Sequence, residues 1–321
     1  KFRAQQIMKC LYQSGYTSFD EMTTLSRDFR TALSQIARIS RPHIVKVQES
    51  KDKTKKTLLR LEDGRFIESV LIPGKNNWTI CVSTQAGCAM DCKFCLTARQ
   101  GFQRNLNPSE ITGQILTLKH ELPGCPDIKN IVMMGMGEPL LNYKNVLQAI
   151  DKITSNDGMG MSPKRITVST AGVAKQIRQL GDDKVRFNLA LSLHAASDKK
   201  RDAIMPINES NSIEVLIEAL NYFYEQTKND ITLEYILIPE VNMSGQDLKH
   251  LRKFCSDLSC KINFIPYNPV PALSYRSPTE AEIDAFLKAA REIPQAITLR
   301  RSKGSDILGA CGQLAARNKE A

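Results

Sequence analysis

The sequence lacks any long apolar run: none of its segments approaches the roughly 20 consecutive apolar residues that a membrane-spanning helix needs. It also does not begin with a secretory signal peptide. Its first residue is Lys1, and we expect this residue to mark a trimmed N-terminus. Its nine cysteines are an odd number and are too sparse for a disulfide scaffold. These absences argue against membrane-spanning and secreted proteins and predict a soluble, cytoplasmic protein with no membrane partner.

The charge balance is basic. The chain has 44 Lys and Arg against 34 Asp and Glu, which gives a formal net charge of +10. A basic surface favours an anionic partner, of which nucleic acid is the commonest, although many basic proteins bind none. The hydrophobic content of 42% is that of a globular protein with a substantial core.

The periodicity of apolar residues divides the chain into three parts. Residues 1–45 have helical spacing, which predicts a small N-terminal helical domain. Residues 46–77 alternate and contain an Asp63-Gly64 turn, which indicates a β-hairpin extension. Residues 78–321 alternate short apolar runs with helical stretches. The strands predicted in this part are 78–83, 128–134, 165–169, 185–193, 231–238, 262–266 and 297–299.

Repeated β–α units predict an α/β fold with a parallel sheet and helices on its outer face. Six or seven units favour a partial or complete (β/α) barrel, and the pattern leaves its closure open. In such barrels the chemistry gathers at the C-terminal ends of the strands. Functional residues are therefore expected directly after the predicted strands.

Three cysteines follow the first of these strands. Cys88, Cys92 and Cys95 have the spacing C-x3-C-x2-C, and in a reducing cytosol such a cluster indicates metal or redox chemistry. Three close thiolates suit a four-iron cluster and leave its fourth iron open. The alternatives are a zinc site without a fourth ligand and three unconnected buried cysteines. No second C-x2-C or neighbouring His completes a zinc site, so the spacing favours a 4Fe–4S cluster.

This segment resembles the radical S-adenosylmethionine (SAM) superfamily, whose C-x3-C-x2-C motif has an aromatic residue before the last cysteine, here Phe94. Five further motifs occur in order and resemble the RlmN-type adenine-C2 methyltransferases of 23S rRNA and tRNA. They are Thr79-Ile80-Cys81-Val82-Ser83, Gly101-Phe102-Gln103-Arg104-Asn105-Leu106, Met134-Gly135-Met136-Gly137-Glu138-Pro139, Ser192-Leu193-His194 and Ala310-Cys311-Gly312-Gln313-Leu314.

The resemblance implies that the open iron chelates SAM and that reduction of the cluster yields a 5′-deoxyadenosyl radical. It also implies a set of SAM-binding residues at strand ends. Taken alone, these residues are more typical of turns and helix caps. The residues in question are Gly137, Glu138, Ser169, Ser192, Leu193, His194 and Asn268.

The same resemblance implies a role for each of two isolated cysteines. It implies that Cys311 becomes S-methylated by one SAM and that a second SAM activates this methyl group for addition to adenine. Cys81 then resolves the protein–RNA adduct by forming a transient disulfide with Cys311. Glu68 matches the position of a proton acceptor, although a glutamate on a half-exposed strand is more often solvated. Cys10, Cys125, Cys255 and Cys260 are interpreted as packing residues.

The resemblance further implies the partners, and it implies that the N-terminal helical domain binds RNA. The substrates are adenosine 2503 of 23S rRNA and adenosine 37 of certain tRNAs, the electron donor is flavodoxin or ferredoxin, and the protein acts as a monomer. The chain departs from the family pattern at Leu96, where a small residue is usual, and at Lys303, where Arg is common. These departures bear on substrate preference and remove no catalytic group.

Three alternatives remain at this point. The first is a C8-adenine 23S rRNA methyltransferase that confers antibiotic resistance and shares the cluster and both thiols. The second is a radical SAM enzyme with a peptide or small-molecule substrate, which would need neither RNA nor Cys311. The third is an iron–sulfur or zinc RNA-binding module without enzymatic activity, which would bind RNA and never cleave SAM.

Overall fold

The structure is a computed structural model that describes residues 2–122, 127–270 and 273–316. Its strands are β1 His43–Glu49, β2 Lys55–Arg60, β3 Phe66–Pro73, β4 Trp78–Cys81, β5 Gln85–Gly87, β6 Phe102–Asn105, β7 Ile128–Met133, β8 Ile166–Thr170, β9 Asn188–Ser192, β10 Ile231–Leu237, β11 Lys261–Pro266 and β12 Ala296–Leu299. Its α-helices are α1 Phe2–Lys9, α2 Arg27–Ile36, α3 Pro108–His120, α4 Tyr143–Thr154, α5 Ala174–Asp182, α6 Asp198–Ile204, α7 Ile213–Thr227, α8 Gly245–Cys255 and α9 Glu280–Ala290.

Ten strands form one sheet in the order β1-β2-β3-β4-β7-β8-β9-β10-β11-β12, and β5 pairs with β6 in a separate small sheet. From β4 to β12 every neighbouring pair in the large sheet is parallel. In the described part of the chain no pairing joins β12 back to β1, so the sheet is open. The predicted α/β fold with a parallel sheet is confirmed, and the barrel is a partial one.

The N-terminal helices cover less of the chain than predicted. Within residues 2–42 they are α1, a π-helical turn at Cys10–Ser14, a short 3-10 helix at Phe19–Glu21 and α2. They enclose a small apolar cluster of their own around Phe19, Met22 and Leu25. The helical pattern ends at Ala37, whose extended backbone leads into β1.

The predicted hairpin region consists of three antiparallel strands, β1 to β3, with the Asp63-Gly64 turn between the last two. Strand β3 also pairs antiparallel with β4, so that Val70 lies opposite Cys81. The hairpin thereby continues the barrel sheet across its edge. The division of the chain into three domains stays a prediction.

Local sequence signals explain where several helices begin. Helices α3, α8 and α9 each start at a capping box, in which a polar N-cap side chain and an acidic side chain three residues later exchange hydrogen bonds with the backbone. The three N-cap residues are Asn107, Ser244 and Thr279. The small sheet β5–β6 and helix α6 were not predicted, since each is too short to show a period.

The core lies between the sheet and its helices. Aromatic contacts within it join strands β10 and β11 to helix α9. Phe264 of β11 makes edge-to-face contacts with Tyr235 of β10 and Phe286 of α9, at centroid distances of 5.6 and 5.3 Å. Among the described residues, none of the helices has the length and apolar character to cross a lipid bilayer.

Replacing Phe264 by Ala should remove this link between the sheet and α9. We expect the free energy of unfolding to fall by about 3–5 kcal/mol, because a large buried side chain leaves both lost contacts and a cavity. Denaturant unfolding followed by circular dichroism measures the change. Val47→Ala is the control, since Val47 is exposed on the edge strand β1 and should change stability by no more than about 0.5 kcal/mol. Similar losses for both variants would contradict this account of the core.

Candidate active site

The C-terminal ends of the parallel strands surround a cavity of about 150 Å³. Parallel pairing brings these ends to one edge of the sheet, which is where the strand-end rule predicted the chemistry. The polar and sulfur-containing residues of its wall include Cys88, Cys92, Cys95, Glu138, Ser169, Ser192, His194, Glu234, Arg300 and Cys311.

The three-cysteine loop forms one side of this cavity and is fixed by its backbone. Cys88 N–H donates to Gly101 O at 3.1 Å, and Lys93 N–H donates to Ile204 O at 2.9 Å. Gly87, at φ +76°, lies so close to Gly101 that a Cβ would fall 1.8 Å from the Gly101 carbonyl oxygen. Only glycine fits there, and the loop starts from this close approach.

The donor set of this loop suits an iron–sulfur cluster. Thiolates are the usual cluster ligands, and all three thiols face one cavity. In the described part of the chain, no group of three His, Cys, Asp or Glu residues converges closely enough to hold a single metal ion, so the thiols do not form an ion-sized cage. Burial raises the pKa of Cys88 to about 12 and that of Cys92 well above its usual value. A positively charged metal centre is what would hold such thiols as thiolates.

The glycine-rich turn after β7 forms another part of the cavity wall. Gly137 has φ +103°, and a Cβ there would lie 2.5 Å from the Gln85 side chain, so the turn requires glycine. Glu138 is buried, and its oxygens accept hydrogen bonds from Leu140 N–H at 3.0 Å and Ala171 N–H at 2.7 Å. Burial raises the pKa of Glu138. The Thr170 side chain also bonds this carboxylate, and Glu138 lines the cavity.

His194 closes the end of β9. Its backbone has φ +56°, and its ring packs edge-on against Phe94 of the cysteine loop at 4.8 Å between centroids. Nδ1 accepts a hydrogen bond from Ile236 N–H at 3.1 Å. Burial lowers the pKa of His194 to about 3, so the ring is neutral near neutral pH. Its role is therefore hydrogen bonding and shape.

Arg201 organises these strand ends and was missed from the sequence. It is fully buried, and its guanidinium donates to the carbonyl oxygens of Ala171 at 2.6 Å, Leu193 at 3.2 Å and Ser192 at 3.3 Å. These carbonyls lie at or directly after the ends of β8 and β9. The burial of Arg201 could not be predicted from the sequence, because the residues of α6 have the pattern of an ordinary charged helix, and charged residues are mostly exposed.

A second cavity of about 240 Å³ lies beyond Cys311. Cys81 lines only this cavity, whereas Cys311 and Arg300 line both. Ser302 and Lys303 form part of its wall. The two thiols singled out in the sequence thus face one space, and Cys311 stands between that space and the cysteine loop.

The surroundings of the two thiols differ. Cys81 is enclosed, and burial raises its pKa to about 12. The Cys311 side chain is exposed to the two cavities, and protein encloses these cavities. The weakly polar surroundings also raise the pKa of Cys311. The positive charge of Arg300 opposes that rise, while Glu234 adds to it. Arg300 directly follows β12, so the strand-end rule was the signal that could have identified it.

Three residues named from the sequence lie outside both cavity walls. Leu193 is buried beneath the wall, and Asn268 donates from Nδ2 to Ser302 Oγ at 2.8 Å. Glu68 is buried in an ion pair with Lys56 at 3.2 Å. Their predicted roles in SAM binding and proton transfer stay predictions. Cys125 lies outside the described residues.

Known protein families and curated proteins match this chain over most of its length. A family model described as the Radical SAM superfamily matches residues 82–255, and one described as the Ribosomal RNA large subunit methyltransferase N-terminal domain matches residues 1–39. The Dual-specificity RNA methyltransferase RlmN of Syntrophus aciditrophicus is 50% identical over 320 residues, which cover 100% of this chain and 92% of that protein. The protein of the same name from Geobacter sulfurreducens is 44% identical over 98% of this chain and 86% of its own length.

Solved structures agree as well. The crystal structure of a radical SAM methyltransferase from Sphaerobacter thermophilus is 36% identical, has a TM-score of 0.94 and covers 98% of this chain and 93% of its own. The hydrogenase maturase HydG, at 12% identity and a TM-score of 0.53, shares the fold. The chain therefore belongs to the radical SAM superfamily and, within it, to the RlmN family of dual-specificity RNA methyltransferases.

Proposed function

We propose that this protein methylates carbon 2 of adenine in 23S rRNA and tRNA and that Cys311 carries the methyl group as S-methylcysteine. The observation that supports this most directly is the position of Cys311 in the wall shared by the two cavities. From there one thiol can face the SAM side and the RNA side in turn. The C8-adenine and small-molecule alternatives have no comparable support in the relatives of this chain.

The cofactor side is the first cavity. We propose that Cys88, Cys92 and Cys95 hold a 4Fe–4S cluster and that the turn at Gly137 and Glu138, together with Ser169, Ser192 and His194, binds SAM. When bound, the cluster and SAM supply an electrophilic methyl group and the means to abstract a hydrogen atom. Leu193 and Asn268, which lie outside this wall, are the remaining residues predicted to bind SAM. The apolar lining, which includes Met133, Met134 and Ile236, excludes water from the reacting atoms.

The thiol side is the second cavity. Cys311 loses its proton and its sulfur accepts the methyl group of SAM, with the sulfonium C–S bond breaking. After the methyl carbon has bonded to carbon 2 of adenine, the Cys81 thiolate attacks the Cys311 sulfur. By then the adduct has given up the proton of carbon 2 and one electron, which would return to the proposed cluster. An S–S bond forms while the bond between Cys311 sulfur and the methylene carbon breaks. The electron pair of that bond stays on the carbon, which takes up a proton and remains on the base as a methyl group. A reductant then restores both thiols.

Four finer predictions accompany this proposal. Two SAM molecules are used per turnover, one as methyl donor to Cys311 and one for hydrogen abstraction. Flavodoxin or ferredoxin donates the electrons, and the protein acts as a monomer. The N-terminal helices are proposed to contact RNA phosphates, and such binding should weaken as salt rises.

The two-thiol proposal predicts different products from two substitutions. After anaerobic reconstitution with iron and sulfide, the wild-type protein given SAM, a reductant and a 23S rRNA fragment should contain S-methyl-Cys311 and form 2-methyladenosine. Cys311→Ala should form neither product. Cys81→Ala should methylate Cys311 and then stall as a covalent protein–RNA adduct, because the resolving thiol is missing. Mass spectrometry of the protein and of nuclease-digested RNA measures all three species.

Cys260→Ala is the control for thiol loss, since Cys260 lies outside both cavities and should retain full activity. Finding 8-methyladenosine would overturn the choice of carbon 2. Cleavage of SAM without methylation of Cys311 or RNA would direct the search to another substrate.

The charge on Arg300 should control the ionisation of Cys311. Arg300→Met removes the cation that favours the Cys311 thiolate, so the pKa of Cys311 should rise and the pH profile of S-methylation should move to higher pH. At saturating SAM and neutral pH we expect roughly a tenfold lower rate. Arg252→Met is the matched control, because Arg252 is exposed, pairs with Glu292 and lies outside both cavities. An unchanged pH profile in Arg300→Met would contradict this role.

A further inference from the structure

The segment that carries Cys311 is held by the hairpin strands β1–β3 and the turns between and after them. Contacts run the length of residues 303–315. Lys303 Nζ donates to Pro73 O, Gly304 N–H donates to Asp52 Oδ2 at 2.9 Å, and Ser50 Oγ donates to Asp306 Oδ1 at 2.5 Å. Lys56 Nζ donates to Leu308 O at 3.3 Å, and Ala315 N–H donates to Glu68 Oε2 at 2.8 Å.

The last two contacts come from one buried ion pair. Lys56 Nζ lies 3.2 Å from Glu68 Oε1, and both residues are less than a tenth exposed. The register places Leu58 opposite Glu68, so Lys56 on β2 and Glu68 on β3 are diagonal neighbours on one face of the sheet. The pair is therefore set by strand pairing and does not depend on the C-terminal segment for its formation.

A buried ion pair contributes little net stability unless its remaining hydrogen-bonding capacity is used. Here that capacity is directed at the C-terminal segment. Lys56 bonds the carbonyl three residues before Cys311, and Glu68 bonds the amide four residues after it. The two charges thus hold the segment on both sides of the reactive thiol.

The segment has little regular secondary structure of its own to fix its conformation. Between β12 and residue 316 it contains only a 3-10 turn at Ser305–Ile307. Leu308 has φ +53°, a conformation that a bulky side chain adopts only when its surroundings impose it. The Lys56 contact is made to the carbonyl of this same residue. On its other side the segment contacts the cysteine loop, where Leu96 N–H donates to Gly312 O at 2.7 Å.

We propose that the hairpin is a clamp for the catalytic segment and that Lys56 and Glu68 are positioning residues that keep Cys311 in the wall between the two cavities. The inference rests on the proposed role of Cys311. Glu68 lies outside both cavity walls, and each of its carboxylate oxygens already has a partner. Positioning therefore fits its surroundings better than acceptance of a proton from RNA.

Amide hydrogen exchange of the purified protein, without cofactor or RNA, tests the clamp directly. In Lys56→Met and Glu68→Gln we expect the amides of Leu308 and Gly309 to exchange on the order of tenfold to a hundredfold faster, as expected for loss of a hydrogen bond to a charged group. Lys56→Met should expose the Ala315 amide as well, because the buried Glu68 loses its counter-ion. Lys53→Met is the matched control, since Lys53 forms an exposed ion pair with Glu49 in the same hairpin.

The double variant Lys56→Met/Glu68→Gln keeps the test valid if either single variant fails to fold. It removes both buried charges together and retains an amide oxygen that can accept from Ala315 N–H. We expect fast exchange at Leu308 and Gly309 and near wild-type exchange at Ala315. Wild-type protection of residues 308–315 in all the variants would overturn the clamp.

S-methylation of Cys311 before RNA is added separates the clamp from the proton-acceptor role. The clamp predicts at least about tenfold slower methylation in Lys56→Met and Glu68→Gln, with Lys53→Met unchanged. A proton acceptor predicts full methylation in Glu68→Gln and a block only after RNA is added, and that result would overturn our assignment. Failure of the wild-type protein to methylate Cys311 would overturn the proposed function, whereas the exchange data would still decide whether the clamp exists.

Discussion

Parallel pairing of the strands from β4 to β12 is the constraint on which the site depends. Parallel strands all end at the same edge, so residues from distant parts of the chain meet there without any local signal that they should. The cysteine loop comes after β4 and the short strand β5, the glycine turn follows β7, and Arg300 follows β12. Each of these segments is short, and its position comes from the strand before it.

Strand ends that stop in a protein interior leave backbone groups without a partner, and buried side chains satisfy them here. Arg201 donates to the carbonyls that follow β8 and β9, and Glu138 accepts from the Ala171 amide next to them. Both residues bury a charge to do so, which is costly unless the hydrogen bonds are complete. The result is a rigid wall in which Ser192 and His194 have defined positions.

Burial also affects the ionisation of the two thiols. The weakly polar surroundings raise the pKa values of Cys81 and Cys311, so neither thiol is a free thiolate by default. Arg300 supplies the positive charge that favours the thiolate at Cys311, and the hairpin charges act at a different point, on the backbone that carries this residue. Reactivity and placement of one sulfur atom are thus assigned to separate cations, Arg300 and Lys56.

The sequence by itself determined much about this protein. The alternation of strands and helices has a period that local propensity produces, and the seven predicted barrel strands are all present within a few residues of their predicted bounds. Cys88, Cys92 and Cys95 lie within one loop, so their spacing alone indicates a shared site. The order of the motifs along the chain was enough to indicate the RlmN family.

Only the tertiary structure decided which separated residues share a surface. Arg201, Glu234 and Arg300 look like ordinary charged residues in the sequence. Strand pairing places Glu234 and Arg300 in the cavity wall, and the packing of α6 places Arg201 against the strand ends. Glu68 meets the amide of Ala315 across 247 positions of the chain. Such contacts depend on how strands pair and how a strained segment folds back over them, and neither is encoded in a local pattern of residues.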